Sequence, residues 1–458
     1  MAYHYIQAGD YEQGLTYAKC AAAEAERVFA FDEVIAAYSR ALDCAETLSR
    51  IDEQLALEEA IGKTYLLHGD LIPAGEHFER AMALTDDPYV RARLQCEAAS
   101  SLVTTGDQRG IEYIHEALKV LDPIKNPLET ANAISNEARF HHLAGRHQKA
   151  IELLRRAEEL VAPAASADSV STFAAPMISQ VYGYLAGAYQ HYGLFEDSNR
   201  WARRAIEFGE RLHVSFAQAM GWEFLGENAV HRGEYEAALE FSEREREIVE
   251  RIHSRERRAW THFVAAMSSS RLGDRTRAAS EYTDGIALAE ATGERRVGNL
   301  LKGNFAELKS LEGFELGSDS AAGRQLLDEA LELAQANFLV DQNSGLVYSR
   351  FEAHRCLATV QLRRGELEEA EQLCAATSNF ISRTESRVTQ LWLGPLYLEV
   401  LMAMAAKLEA ENKPEDASAR LKLAEELLAQ YQQLVTDCQS PHFAREAARI
   451  EKELTPAS

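Results

Sequence analysis

The chain has 458 residues, 46% hydrophobic and 26% charged, a balance that supports packed structure and excludes the apolar-poor composition of disorder. With 72 acidic against 48 basic side chains and a net charge of -24, most of the surface repels phosphate backbones and anionic lipid. Neither nucleic acid nor a membrane is therefore an expected partner.

In chain order, Met1-Ala2-Tyr3-His4-Tyr5 lacks the basic and apolar regions of a signal peptide. Cys20, Cys44, Cys96, Cys356, Cys374 and Cys438 lie far apart inside helical patterns with no C-x-x-C pair, which predicts reduced packing residues and a cytoplasmic protein. Asp32 to Leu48 reads as a helix with Val34, Ile35, Tyr38, Ala41 and Leu42 on one face. The clearest unit follows, with Ile61-Gly62, Tyr65, Gly69-Asp70, Ala74, Phe78 and Ala81 in helix-turn-helix spacing. Turn glycines recur at Gly9, Gly69, Gly106, Gly145, Gly193, Gly233, Gly273, Gly317 and Gly365, and Lys413-Pro414 takes the same place near the end. From Gly69 onward the steps are 37 to 48 residues, each enough for two helices and short connections, the period of a solenoid.

The second best unit is Tyr182, Leu185-Ala186, Tyr189, Gly193, Trp201 and Ala205, and the third is Trp222, Leu225-Gly226, Gly233 and Ala238. Glu58 and Glu137 stand where the pattern wants apolar side chains. Two breaks interrupt the series: Val161 to Pro176, a small-residue, proline-bounded stretch that reads as a connecting loop or hinge, and Gly313 to Gly323. Leu391 to Ala406 is strongly apolar, but its 16 residues include Glu399 and Pro395, short of the roughly 20 that span a bilayer. It is expected as a buried helix. Ser440-Pro441 reads as an N-cap with proline at the first helical position, opening a helix from His442 to Leu454 that caps the stack. The expected organisation is repeats over 1–160, a hinge over 161–176, repeats over 177–440, and a capping helix and tail over 441–458.

These spacings resemble the tetratricopeptide repeat, which implies an all-α, right-handed superhelical solenoid of helix-turn-helix units. The opening residues Ala2-Tyr3-His4-Tyr5, Ala8-Gly9-Asp10-Tyr11, Tyr17-Ala18, Ala21-Ala22, Ile35, Tyr38 and Ala41-Leu42 are similar to a more specific junction. It is the one that begins the C-terminal repeat arrays of signal-transduction ATPases and multidomain nucleotide cyclases. That resemblance covers the first 45 residues and implies the sensor or scaffold arm of such a signalling protein. No ATPase or cyclase segment is present in these residues, so their activities do not carry over.

Gly62-Lys63-Thr64 shares three letters with a phosphate-binding loop, but Leu57 stands at the first glycine position and the surroundings are helical, so Lys63 is expected to face solvent. His141-His142 with His147 lacks a recognisable ligand set, and no metal is expected. Arg251, Arg255, Arg257 and Arg258 form the densest basic patch, next to the mixed run Glu243 to Glu250, and are expected to pair with acidic neighbours or to meet an acidic partner segment. No G-x-S-x-G, H-E-x-x-H or kinase motif occurs. The chain is expected to be non-catalytic and to need no cofactor.

If the helices stack as the resemblance implies, the first helix of each pair lines a concave groove. Its exposed positions would include Arg139, His142, Gln180, His191, Glu223, Glu227, His231, Trp260, Phe263, Met267 and Arg271. Polar groups there alternate with the apolar Trp260, Phe263 and Met267, as anchoring and orienting a peptide requires. The leading expectation is a protein- or peptide-binding scaffold or adaptor. A small-molecule effector arm, with the effector near 161–176, and a structural self-associating module are the alternatives.

Overall fold

The computed structural model describes residues 1–27, 30–68, 70–105, 107–171, 174–252, 254–292, 294–342 and 345–454, and every regular element among them is an α-helix. Two compact units result: Met1–Phe140 with Glu152–Val181, and His141–Ile151 with Tyr182–Ser458.

The first unit holds α1 (Ala2–Gln7), α2 (Tyr11–Glu26), α3 (Phe31–Thr47), α4 (Ile51–His68), α5 (Leu71–Ala83), α6 (Pro88–Thr105) and α7 (Arg109–Val120). It also takes most of α8 (Pro127–Leu143) and α9 (His147–Ala165) and the start of α10 (Ala174–His191). Each helix from α1 to α7 packs on the next. The expected helix over 32–48 is α3, which lies against both α2 and α4. Leu15, Ala18, Ala41, Leu57 and Ile61 form one buried cluster, and Ala74, Phe78, Met82, Leu94 and Ala98 the next. Gly62 is where α4 approaches α5, because a β-carbon there would stand 3.0 Å from the buried Phe78 ring. The neighbouring Lys63 sits within α4 and bonds Glu59 at 2.5 Å, as a surface lysine does, with no loop around it. Glu58, out of pattern in the sequence, is buried but satisfied by His77 Nδ1 at 2.5 Å, which lets a polar side chain occupy a packing position. The turn positions Gly69 and Gly106 lie outside the described residues.

The second unit continues with α11 (Phe195–Leu212), α12 (Ser215–Arg232), α13 (Tyr235–Arg251), α14 (Arg255–Arg271), α15 (Arg275–Thr292) and α16 (Arg295–Glu315). It ends with α17 (Ala321–Asp341), α18 (Val347–Arg364), α19 (Leu367–Ile381), α20 (Arg387–Ala410), α21 (Pro414–Cys438) and α22 (Pro441–Leu454). Successive helices pair, and α12, α14, α16, α18 and α20 also pack each on the next but one, forming an inner layer. The turn glycines Gly145, Gly193, Gly233, Gly273, Gly317 and Gly365 all have φ between 73° and 87°, the left-handed conformation that a β-carbon disfavours. In the last pair Asn412 at φ 58° takes this role, immediately before Lys413-Pro414.

Three of these turns also receive the C-terminal part of the chain. A β-carbon on Gly145 would stand 2.8 Å from Thr384 Cβ, one on Gly193 2.6 Å from Cys438 Sγ, and one on Gly233 2.8 Å from His442 Cβ. Glu385 N–H donates to the Gly145 carbonyl at 2.8 Å, Gln148 N–H to the Glu385 carboxylate at 2.7 Å, and Ser440 Oγ to the His231 carbonyl at 2.8 Å. The second unit therefore closes on itself. Its core joins Phe195, Trp260, Phe263 and Met267 to Leu391, Trp392, Leu401 and Phe443. Among the described residues α20 is the one helix long and apolar enough to cross a membrane, and its Leu391, Val400 and Leu401 are fully buried in this core.

Both sequence breaks are shorter than expected. Val161 to Ala165 complete α9, and Ala174 to Pro176 open α10. Gly313 lies inside α16, where a β-carbon would meet the Gly323 carbonyl at 2.8 Å, and Ser320 caps α17 by accepting from Gly323 N–H at 2.9 Å. The second break is thus confined to 316–320. The terminal helix α22 buries Phe443, Ala447 and Ile450 and packs on α12, α20 and α21.

Candidate functional site

Of the expected groove residues, Arg139 and Gln180 belong to the first unit and the other nine to the second. Trp260, Phe263 and Met267, expected as exposed anchors, are only 9%, 4% and 9% exposed, because they are packed into the core of the second unit. Arg271 is exposed, with its guanidinium 5.1 Å from the centre of the Trp392 ring. His142 meets His191 and His147 with ring centres 5.0 Å away in each case, and its Nδ1 is 3.2 Å from Nδ1 of His147. Among the described residues no group of three or more His, Cys, Asp or Glu side chains is placed to hold a metal.

A buried polar centre lies around Glu227 on α12. Its carboxyl is enclosed by protein while the residue keeps part of its surface. Burial, and next the charge of Glu223 one turn earlier, raise it to about 8, against partial relief from Gln190 on α10, Arg296 on α16 and Arg257 on α14. Arg257 Nη1 bonds Glu223 at 2.5 Å and stands 3.8 Å from Glu245 on α13. Glu245 is fully buried, neither of its carboxylate oxygens has a hydrogen-bond partner, and burial with Glu223 pushes its carboxyl well above the usual range. Arg296 lies over the Trp260 ring, 4.9 Å from its centre. His191, lowered well below its ordinary value by burial, stands edge-on to Tyr348 of α18 at 5.0 Å. Gln190 Nε2 donates to Asn228 Oδ1 at 3.1 Å, and Asn228 Nδ2 donates to Ser198 Oγ at 2.7 Å.

The sequence thus pointed to His191, Glu223, Glu227 and Trp260 but missed Gln190, Glu245, Arg296 and Tyr348. Glu245 sits in a run of alternating charges, where nothing distinguishes a buried carboxylate from its solvated neighbours. Arg257, read as part of an exposed basic patch, is instead the internal counter-charge of Glu223. Its neighbours Arg251 and Arg258 are exposed, and the side chain of Arg255 lies outside the described residues.

No protein-family model matches the chain and no curated protein is similar to it. Solved structures share its fold. The structure of a Rap protein complexed with Competence and Sporulation Factor aligns with TM-score 0.54 at 13% identity, over 81% of this chain and 98% of that one. The signal-transduction ATPase with a tetratricopeptide repeat sensor from Pyrococcus horikoshii aligns with TM-score 0.43 at 15% identity, over 82% of this chain and 55% of that one. Its left-handed turns, paired helices and inner layer, with this likeness, make the chain an all-α helical array of the tetratricopeptide type.

Proposed function

We propose that the chain is a recognition module without catalytic chemistry, binding a peptide or protein segment along the inner helices of its second unit. The observation that carries this reading is Glu227, a partly exposed residue whose enclosed carboxyl faces polar groups from α10, α12, α14 and α16. Such convergence costs desolvation energy in the free protein, and a ligand that supplies the missing partners recovers it. The Rap structure of similar fold is itself a complex with a named factor, which supports ligand binding as a role for an array of this kind. The likeness of the first 45 residues to ATPase-linked arrays adds the reading of a sensor arm in signalling.

Fluorescence anisotropy with a hexapeptide library tests the proposal. It expects binders whose affinity falls about tenfold or more on Glu227→Gln, the range of a central contact, and falls also on Arg271→Ala, with thermal stability retained. A library without binders, or binders indifferent to both substitutions, contradicts it.

A further inference from the structure

We propose that the Glu223, Glu227 and Glu245 cluster is a receptor for one cationic group of the ligand, an ammonium or a guanidinium, contributed by a lysine, an arginine or the peptide N-terminus. This inference rests on the proposed function above and specifies the chemistry of that same site.

The argument is one of charge inventory. Three carboxyl groups from α12 and α13 lie close together: the charge of Glu223 raises the proton affinity of both Glu227 and Glu245, and Glu227 adds to the effect on Glu245. Arg257 is the cation in direct contact, at 2.5 Å from Glu223 and 3.8 Å from Glu245. Arg246, whose Nε has no hydrogen-bond partner, and Arg296 also act on these carboxyl groups, from farther away. Arg246 Nη2 bonds Glu281 at 2.9 Å, and Arg296 lies over Trp260 at 4.9 Å. Glu245 is 0% exposed and both of its oxygens lack a hydrogen-bond partner, a state that costs stability unless the group is neutral or a donor arrives. Among the described residues, the cluster is therefore left with two carboxylate oxygens, those of Glu245, that no donor reaches. Trp260, beneath Arg296, already supports a guanidinium on its face, and such a ring can hold a ligand cation in the same way.

The groups around the site fix how it titrates. Gln190 and His191 come from α10, Glu223 and Glu227 from α12, Glu245 and Arg246 from α13, Arg257 from α14, Arg296 from α16 and Tyr348 from α18. The buried His191 stays neutral near neutral pH, and the Tyr348 hydroxyl is raised well above its ordinary range by burial. Glu227, at about 8, carries a proton in the empty site at neutral pH. A bound cation stabilises the carboxylate, so binding expels that proton into the buffer.

The test is calorimetry of library hexapeptides at neutral pH in phosphate and in Tris, two buffers of different ionisation enthalpy. Tight binders should carry a Lys, an Arg or a free N-terminus, and replacing that group by norleucine or an acetyl cap should weaken them about tenfold or more, as loss of a partner for a buried charge does. The heats should reveal proton release for wild type and none for Glu227→Gln. Equal binding of cation-free peptides, or no proton release, overturns the cation assignment while leaving peptide recognition standing. No peptide binding at all overturns the underlying reading. Spermidine alone separates the sources: a thermal shift lost in Glu227→Gln assigns the site to free polyamines as well, and no shift with binding of the Lys peptide assigns it to peptide cations.

Discussion

Trp392 Nε1 donates a 3.0 Å hydrogen bond to Nδ1 of His231, across 161 residues of chain. An indole nitrogen only donates, so His231 must present an unprotonated Nδ1. Burial agrees, lowering His231 to about 3. With Ser440 bonded to the same residue's carbonyl, His231 ties α12 to both α20 and the start of α22.

Acid should loosen this closure. A histidine whose folded value lies near 3, below its ordinary 6.5, contributes stability that is complete above 6.5 and is lost as pH falls toward 3. His147, also held at about 3 by burial, acts in the same direction. Tryptophan fluorescence during acid titration should report the loss, and His231→Phe, which leaves the indole donor unpaired, should cost about 1–3 kcal/mol at neutral pH. A variant as stable as wild type would show that this bond does not hold the unit closed.

Glu227 works in the opposite direction. Its folded value of about 8 exceeds the ordinary 4.5, so the folded chain holds a proton that the unfolded chain releases between those values. The stability it contributes is complete below 4.5 and is lost as pH rises to 8. Glu227→Gln removes this loss. Urea denaturation across that pH window should give a flatter stability profile for the variant than for wild type.

The turn glycines separate backbone strain from close approach. Gly273 at φ 83° has nothing within 4 Å of a built β-carbon, whereas Gly233 at φ 75° would press on His442. Gly273→Ala should cost about 1–2 kcal/mol, the price of a left-handed alanine. Gly233→Ala should cost that and a further ~1–3 kcal/mol for the steric conflict. Equal losses in thermal denaturation would mean that α22 does not sit on this turn.

In the first unit, Gly62→Val should lower stability by about 1–3 kcal/mol by crowding Phe78. Lys63→Ala, at a side chain 45% exposed, should change it by no more than ~0.5 kcal/mol. Neither wild type nor the variant should bind ATP measurably. ATP binding that disappears with Lys63 would restore the phosphate-loop reading.

The repeat register was legible because each turn glycine and each small or aromatic packing residue answers to local geometry that recurs from unit to unit. Gly145, Gly193 and Gly233 announced their turns in this way, but the Thr384, Cys438 and His442 contacts that they receive lie more than 200 residues away and leave no periodic trace. For the same reason Trp260, Phe263 and Met267 could be placed on an inner face, while their burial in the core of the second unit could not. Glu245 was hidden differently: its burial depends on which way α13 turns, and the charges on either side of it mask the helix's apolar stripe.

Hydrogen exchange of the full chain, with and without its tightest lysine-bearing hexapeptide, tests most directly whether recognition occurs on the inner helices of the second unit. Slowed exchange in Ser215–Arg232 and Arg255–Arg271 is the predicted result. Protection confined to the outer helices α13 and α15 or to the first unit would contradict it.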